Sequence, residues 1–194
     1  SLTNPNKLQK TFKSVNQSKI TATTITKYIE YLEDAFLIEE ASRYDIKGKS
    51  YIGTPVKYYF MDMGLRNSRI NYRQMEVTHS MENVIYNELR MSGFSVDVGN
   101  LTIVENSKDG KTIKKQLEVD FICNKGSKKY YIQSAYILGT AEKMAQEIRQ
   151  FLKINDSFKK IVITSDTPKP FYSEEGILMM NVFDFLLNAD SLDL

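Results

Sequence analysis

The chain has 194 residues, of which 42% are hydrophobic and 26% charged, and its formal net charge is +2. This composition is typical of a folded protein and excludes a largely disordered chain. No apolar run approaches the roughly 18–20 residues that a membrane helix needs, so no membrane contact is expected. The single cysteine, Cys123, excludes an internal disulfide, and the single histidine, His79, excludes multi-histidine metal sites.

The N-terminus lacks the basic and apolar regions of a signal peptide. Together with the lone cysteine, this predicts a reducing compartment and a cytoplasmic location. The chain starts at Ser1 without an initiator methionine, which predicts a piece of a longer protein or a processed form. The mildly basic net charge permits nucleic-acid binding without arguing for it, because dedicated binders usually carry a larger basic excess.

The first third of the chain carries the clearest charge asymmetry and the clearest helical pattern. Residues 1–30 hold five lysines against one acid, Glu30. Apolar residues then repeat at +4, +3 and +4, which predicts an amphipathic helix that ends near Ala35 and has Thr21 or Thr23 as its N-cap. The repeat consists of Ile25, Ile29, Leu32 and Phe36.

A strand is predicted directly after this helix, then a polar loop over 43–54 and an aromatic strand over 57–61. The order of helix, strand, basic loop and strand is typical of a winged helix, whose second helix enters a DNA major groove. We therefore expect a winged-helix-like domain over 1–66, a connector over 67–77 and a second domain over 78–194.

The polar face of the predicted helix, together with the loop, supplies the candidate DNA contacts. Lysine, arginine and threonine are the donors that proteins use on phosphates and base edges. The candidates are Lys19, Thr23, Thr24 and Lys27 on or just before the helix, and Arg43, Lys47 and Lys49 on the loop. The alternative is a solvated helix face in a winged helix that binds protein. A phosphate loop at Gly48 is excluded, because position 43 is arginine and no helix follows.

The remainder of the chain predicts a mixed sheet flanked by helices, so that the fold class of the whole chain is α+β. Helices are predicted over 81–91, 141–153 and 182–187, and strands near 95–105, 114–123, 129–137, 160–164 and 177–180. Hairpin tips are expected over 106–111 and 124–128.

The sharpest chemical pattern in this second unit is acidic. Strand alternation places Leu117, Val119, Phe121 and Cys123 on one face and Glu118 with Asp120 on the other. Glu82 comes from the preceding predicted helix. A helix glutamate, a strand aspartate and an acid-x-lysine on the next strand form the site of a Mg²⁺-dependent nuclease, in which carboxylates hold the metal and the lysine positions water.

These residues resemble a known family. The segments Met81-Glu82-Asn83, Glu118-Val119-Asp120-Phe121 and Tyr131-Ile132-Gln133 resemble the PD-(D/E)XK nuclease-like fold. Nearly the whole chain resembles the C-terminal region of a prokaryotic, including bacterial, family of AAA-type ATPases that ends in a winged helix and a domain of unknown function. The segments Tyr31–Ile38 and Tyr59–Asn67 carry the winged-helix part of the likeness. The resemblance implies an ATPase module upstream, acting in cis, with ATP and Mg²⁺ bound there and no cofactor bound by this chain.

The sequence departs from the nuclease pattern at two positions. Gln133 replaces the acid and Ala135 replaces the lysine, so the predicted site, Glu82, Asp120, Gln133 and Ala135, is degenerate. Losing such a group typically slows a reaction about 10²–10⁴-fold. The leading hypothesis is a non-catalytic, accessory part of a larger ATPase that binds double-stranded DNA.

Two alternatives stay open: a Mg²⁺-dependent nuclease with a weakened metal site at Glu82 and Asp120, and a protein-docking module that binds no nucleic acid. A homo-oligomer is compatible with all three readings.

Overall fold

The computed structural model describes residues 2–73, 76–106 and 112–194. These residues form an eight-stranded mixed sheet with six α-helices, which confirms the α+β class. The helices are α1 Pro5–Asn16, α2 Ala22–Asp34, α3 Met63–Arg69, α4 Val77–Met91, α5 Ala141–Ile148 and α6 Val182–Leu187. The strands are β1 Ile38–Asp45, β2 Ser50–Phe60, β3 Ser95–Asn106, β4 Thr112–Lys125, β5 Lys128–Ala135, β6 Lys159–Thr164, β7 Phe171–Tyr172 and β8 Leu178–Asn181. The predicted connector 67–77 and the predicted tip 106–111 both include positions outside the described residues.

Side-chain caps set the starts of the two N-terminal helices. The Asn4 side chain accepts a hydrogen bond from the Lys7 backbone N–H at 2.8 Å, and Pro5 supplies the first helical position of α1. Of the two candidate caps for α2, the structure selects Thr21, whose hydroxyl accepts from the backbone N–H of Thr24 at 3.2 Å. The chain therefore enters α2 where the sequence pattern predicts.

The hairpin that follows α2 is longer and tighter than predicted. Strands β1 and β2 pair from Ile38 and Phe60 down to Asp45 and Ser50, so most of the predicted 43–54 loop is strand. The turn spans residues 46–49, where the Asp45 carboxylate accepts from two backbone N–H groups. These hydrogen bonds from the turn backbone to the Asp45 side chain stabilise a short turn where the sequence predicted a long polar loop.

The sheet has the order β2-β1-β3-β4-β5-β6-β8-β7. β1 pairs in parallel with β3, so the N-terminal hairpin continues the sheet formed by the rest of the chain. β3, β4 and β5 are antiparallel, while β5, β6 and β8 are parallel. The predicted domains therefore share one sheet, and the boundary at 66–78 stays a prediction about sequence modules.

The sheet has two covered faces, each with its own core. On the face we call the α4 face, α4 and α6 cover a cluster that includes Ile85, Phe121, Cys123, Ile132 and Phe185. On the opposite face, the α5 face, a second cluster includes Leu101, Val119, Ile122, Tyr131 and Ile148. Cys123 is fully buried, as its apolar surroundings in the sequence predicted.

A β-bulge in β4 changes which residues share a face. Asp97 pairs with Ile122, but Gly99 pairs with Val119, so β4 carries one extra residue opposite Val98. The predicted alternation is wrong here: Val119 packs on the α5 face and Phe121 on the α4 face. A bulge re-aims side chains, and this one brings Asp120 to the α4 face beside Phe121.

Candidate functional site

Three carboxylates meet at one lysine on the α4 face. Lys57 lies in the inner part of β2 and is buried. Its Nζ is 2.8 Å from Glu82 Oε1, 2.7 Å from Glu118 Oε1 and 3.3 Å from Asp120 Oδ1. We call this group, Lys57 with Glu82, Glu118 and Asp120, the Lys57 cluster. It joins β2, α4 and β4 through charge-assisted hydrogen bonds.

Further hydrogen bonds hold the carboxylates in place. The Tyr59 hydroxyl donates to Glu82 Oε1 at 2.7 Å, and the Ser134 backbone N–H donates to Asp120 Oδ2 at 3.0 Å. The Tyr59 ring stacks on Tyr86 of α4, with centroids 4.0 Å apart. The Asn83 side chain bonds both backbone groups of Phe60, which fixes α4 against β2. Glu82 and Asp120 are therefore each held by a second hydrogen bond in addition to the contact with Lys57.

Burial and charge shift the pKa values within the cluster in different directions. Burial alone would lower the pKa of Lys57, but the charges of the three carboxylates raise it above its usual range. Burial opposes ionisation of Glu82, yet the Lys57 charge and hydrogen bonds from Lys57 and Tyr59 lower its pKa. Burial raises the pKa of Asp120 to about 7, supported by the charges of Glu82 and Glu118 and opposed by Lys57.

The cluster does not fit the Mg²⁺ site that the nuclease resemblance implies. The ammonium lies at the point where the three carboxylates converge, and a metal ion would need the same oxygens at about 2.0–2.1 Å. Within the described ranges, no three acidic, cysteine or histidine side chains form a group that could hold a metal. Lys57 therefore neutralises these acids as a counter-ion supplied by the chain itself.

Of the four predicted nuclease positions, two lie in the Lys57 cluster and two lie outside it. The structure brings Glu82 and Asp120 together, through Lys57, as the sequence pattern suggested. The Gln133 and Ala135 side chains lie on the α5 face. The Gln133 amide nitrogen donates to Glu147 of α5 at 3.4 Å, its amide oxygen accepts from the Asp120 backbone N–H at 3.3 Å, and Ala135 is buried in the α5-face cluster. The β5 residue that faces the carboxylates is Ser134, because side chains alternate along a strand.

The predicted DNA-contact residues have different surroundings. Lys19, Thr23, Lys27, Lys47 and Lys49 are exposed, the last two at the 46–49 turn. Thr24 is half-buried, and its hydroxyl hydrogen-bonds that of the cap Thr21.

Arg43 requires a correction. It lies in β1 and not on the loop, is only 6% exposed, and donates to Asn100 Oδ1 at 2.8 Å, because β1 pairs with β3 on that side. Its guanidinium is therefore used within the fold and is not available on the loop surface.

A polar groove runs between the starts of α1 and α2. It encloses about 420 Å³ and is lined by Asn4, Pro5, Asn6, Ala22, Thr23, Thr26, Lys27, Glu30 and Thr54. Both helices begin at this groove, and neither has an acidic residue in its first turn. The partial positive charges of two helix N-termini therefore face the same space as Lys27.

Sequence reasoning missed the residue at the centre of the site. Lys57 lies in the predicted aromatic strand over 57–61, and strand propensity assigns no partner to its charge. One signal was available: Lys57 and Tyr59 are two residues apart, so a strand places them on one face. A lysine that shares a face with an aromatic core residue needs a buried carboxylate partner, and the carboxylates of Glu118 and Asp120 were already candidates.

The N-terminal part of the chain is similar to one protein-family model. Residues 1–76 match a family described as a domain of unknown function, DUF8612. The chain is 35% identical to an uncharacterized protein of Haemophilus influenzae over 189 residues, which is 96% of this chain and 42% of that protein.

It is also 29% identical to an uncharacterized protein of Methanocaldococcus jannaschii over 173 residues, which is 86% of this chain and 34% of that protein. The chain thus spans less than half the length of each of these relatives. No solved structure matches it. Among the described residues, no helix has the length and apolarity required to cross a lipid bilayer.

Proposed function

We propose that this chain is a non-catalytic accessory part of a larger ATPase and that it binds double-stranded DNA through its N-terminal helices. The groove between α1 and α2 is the observation that carries the proposal. Two helix N-termini, Lys27 and Thr23 line one space together with the acid Glu30. Helix N-termini, lysines and threonines are the groups that bind phosphate oxygens.

The arrangement of the first 60 residues supports a winged-helix mode of binding. Thr3 bridges to Val56, so a short extended segment precedes α1 and lies against β2. The order is then extended segment, two helices and a two-stranded hairpin with Lys47 and Lys49 at its turn. In a winged helix the second helix, here α2, lies in the major groove, and the hairpin turn contacts the backbone.

The exposed lysines favour an anionic partner. In the part of the chain that the structure describes, no ion pair forms at Lys19, Lys27, Lys47 or Lys49. Their charges are therefore not used for internal pairing, and releasing condensed counter-ions from DNA is the usual driving force for such contacts.

The Lys57 cluster supports the non-catalytic part of the proposal. A nuclease requires carboxylates that are open to Mg²⁺, whereas Glu82, Glu118 and Asp120 here share a buried ammonium. The alternative, a nuclease with a weakened site, would need Lys57 to leave this position. Cleavage of DNA by the wild-type chain in Mg²⁺, abolished by Asp120→Ala, would support that alternative and contradict ours.

The test of DNA binding uses a fluorescent duplex titrated at several salt concentrations. We expect the logarithm of the binding constant to fall linearly with the logarithm of the salt concentration. The double variant Lys19→Ala/Lys27→Ala should bind DNA more weakly and should reduce the magnitude of this slope by about 2, one for each lost phosphate contact. Lys153→Ala/Lys169→Ala removes the same charge from exposed positions elsewhere and is the matched control. Absence of binding at low salt, or an equal loss in both variants, would refute the proposal.

A further inference from the structure

An apolar groove with an acidic rim lies at the opposite end of α2 from the DNA-binding surface. We call it the Phe36 groove. It encloses about 410 Å³ and is lined by Glu33, Phe36, Ile38, Glu39, Met61, Arg90 and Met91. Phe36 is 82% exposed and Met91 is 81% exposed. Large apolar side chains that cluster at a surface usually mark a contact with another molecule, and methionine adapts readily to a partner's shape.

Phe36 occupies a backbone position that suits glycine. Its φ is +54°, in the left-handed region, directly after the C-cap of α2. Glycine or asparagine is common there because a side chain is strained by this conformation. The phenyl ring gains little burial in return. Local choices that reduce stability without a packing benefit are typical of functional positions.

The segment that carries the groove has an acidic excess, and two of its acids, Glu33 and Glu39, line the groove. Residues 28–42 hold five acids and no basic residue. Two of these acids, Glu33 and Asp34, lie at the C-terminus of α2, where the helix dipole disfavours negative charge. Burial raises the pKa of Glu33, with further contributions from the charges of Glu40 and Asp34. Arg90, the cation of the groove lining, is bound to Glu39 at 2.6 Å and to the Phe94 carbonyl at 2.7 Å.

The same chain carries a surface with the complementary character. α1 holds Lys7, Lys10 and Lys13 and no acid, and none of its residues is buried. Its C-terminal half exposes two apolar side chains, Phe12 at 39% and Val15 at 72%. α1 lines a groove with the first turns of α2, and none of the residues that line it belongs to the Phe36 groove. Within one copy of the chain, α1 therefore does not cover the Phe36 groove.

From this complementarity we infer that the Phe36 groove binds α1 of a second copy of this chain. Phe12 and Val15 contact Phe36 and Met91, and the lysines of α1 lie near Glu33 and Asp34. Because the two surfaces are different, the contact is head-to-tail, and it builds a ring or an open chain of copies rather than a two-fold dimer. This contact uses lysines other than those assigned to DNA, so either proposal can fail without the other.

The test is a charge-reversal experiment on the 194-residue chain, read by sedimentation velocity over a range of concentrations. One variant, Lys10→Glu/Lys13→Glu, makes α1 acidic, and the other, Glu33→Lys/Asp34→Lys, makes the groove rim basic. We expect the wild type to self-associate, and each variant alone to associate at least about tenfold more weakly, because like charges then oppose each other.

An equimolar mixture of the two variants is expected to associate again. The acidic α1 of one variant faces the basic groove of the other, and the second contact in the mixture keeps the wild-type charges. Lys153→Glu/Lys169→Glu changes the net charge by the same amount as Lys10→Glu/Lys13→Glu, but at other exposed sites, and is expected to behave as the wild type. Phe36→Gly is expected to weaken association without lowering the unfolding temperature, which separates contact from folding.

Three outcomes would overturn the inference: a wild type that is monomeric at all concentrations, variants that associate as well as the wild type, or a mixture that fails to restore association. If the wild type is monomeric but its groove binds an unrelated cationic amphipathic peptide, the occupant is another protein and self-docking is wrong.

Discussion

The molecule contains two groups of carboxylates in opposite environments. In the Lys57 cluster, three acids surround a buried ammonium. At the end of α2, acids of comparable density lie at the surface, and within the described part of the chain Glu30, Glu33, Asp34 and Glu40 form no ion pair. Removing a charge from water costs several kcal/mol unless it is paired, whereas a solvated acid costs little. The fold must therefore neutralise the first group itself, and the second stays available to a partner.

The largest expected effect comes from removing the cation of the buried group. Lys57→Ala leaves the buried Asp120 and the partly buried Glu82 and Glu118 without a counter-ion and should reduce the free energy of unfolding by about 3–5 kcal/mol. Urea denaturation measures the loss, with Lys125→Ala, an exposed lysine bonded to the Ser92 carbonyl, as the control. A change below about 1 kcal/mol would show that the acids do not depend on Lys57.

The pH dependence of stability tests the Lys57 cluster through the ionisation of Asp120. Asp120 has a pKa near 7 in the folded chain against an ordinary value of 3.8, so between these values the folded state holds a proton that the unfolded state releases. Stability from this residue is therefore present below about pH 4 and is lost as pH rises through 7.

Asp120→Asn removes this titration. Its free energy of unfolding, measured from about pH 5 to about pH 8, should decline less with pH than that of the wild type, whatever the absolute stability of the variant. Parallel curves would show that Asp120 ionises normally in the fold.

The smallest expected effect lies at the exposed group. Phe36→Gly relieves the strain of a side chain at φ +54° and should raise stability by up to about 1 kcal/mol. Phe36→Ala removes the ring but keeps the Cβ atom, so it should give little or no gain. Thermal unfolding of both variants measures the difference. If Phe36→Gly is destabilised, the ring contributes to the fold, and the contrast between the two carboxylate groups is weaker than we describe.

Local patterns predicted much of the secondary structure. The cap at Thr21, the end of α2 near Ala35 and the strands around Phe121 and Ile161 follow from short-range periodicity and capping chemistry. The predicted helix over 141–153 ends earlier, at Ile148, and continues as a short 3₁₀ turn over Phe151–Lys153. Helix ends depend on weak local preferences, which tertiary packing overrides.

The candidate site was predictable only in part. Glu82 and Asp120 were identified as a pair because their residue types and order match a known acidic pattern. Gln133 and Ala135 were placed in the same site by analogy, and the structure puts them toward α5. The bulge at Asp120 is the reason, because one extra residue in β4 reverses which face each side chain occupies. A bulge depends on the pairing of two strands and has no local sequence signal.

The sequence alone determined the α+β class, the capped helix α2, the basic segment before it, the acidic segment that begins in its second half, and the presence of Glu82 and Asp120 in one acidic pattern. The tertiary structure decided that β1 joins β3 in one sheet, that Arg43 is buried, and that Lys57 meets three acids contributed by residues 25 to 63 positions away. Local propensities act over a few residues, whereas charge pairing and strand register are set by contacts between distant segments. The three partners of Lys57 are therefore visible together only in the folded chain.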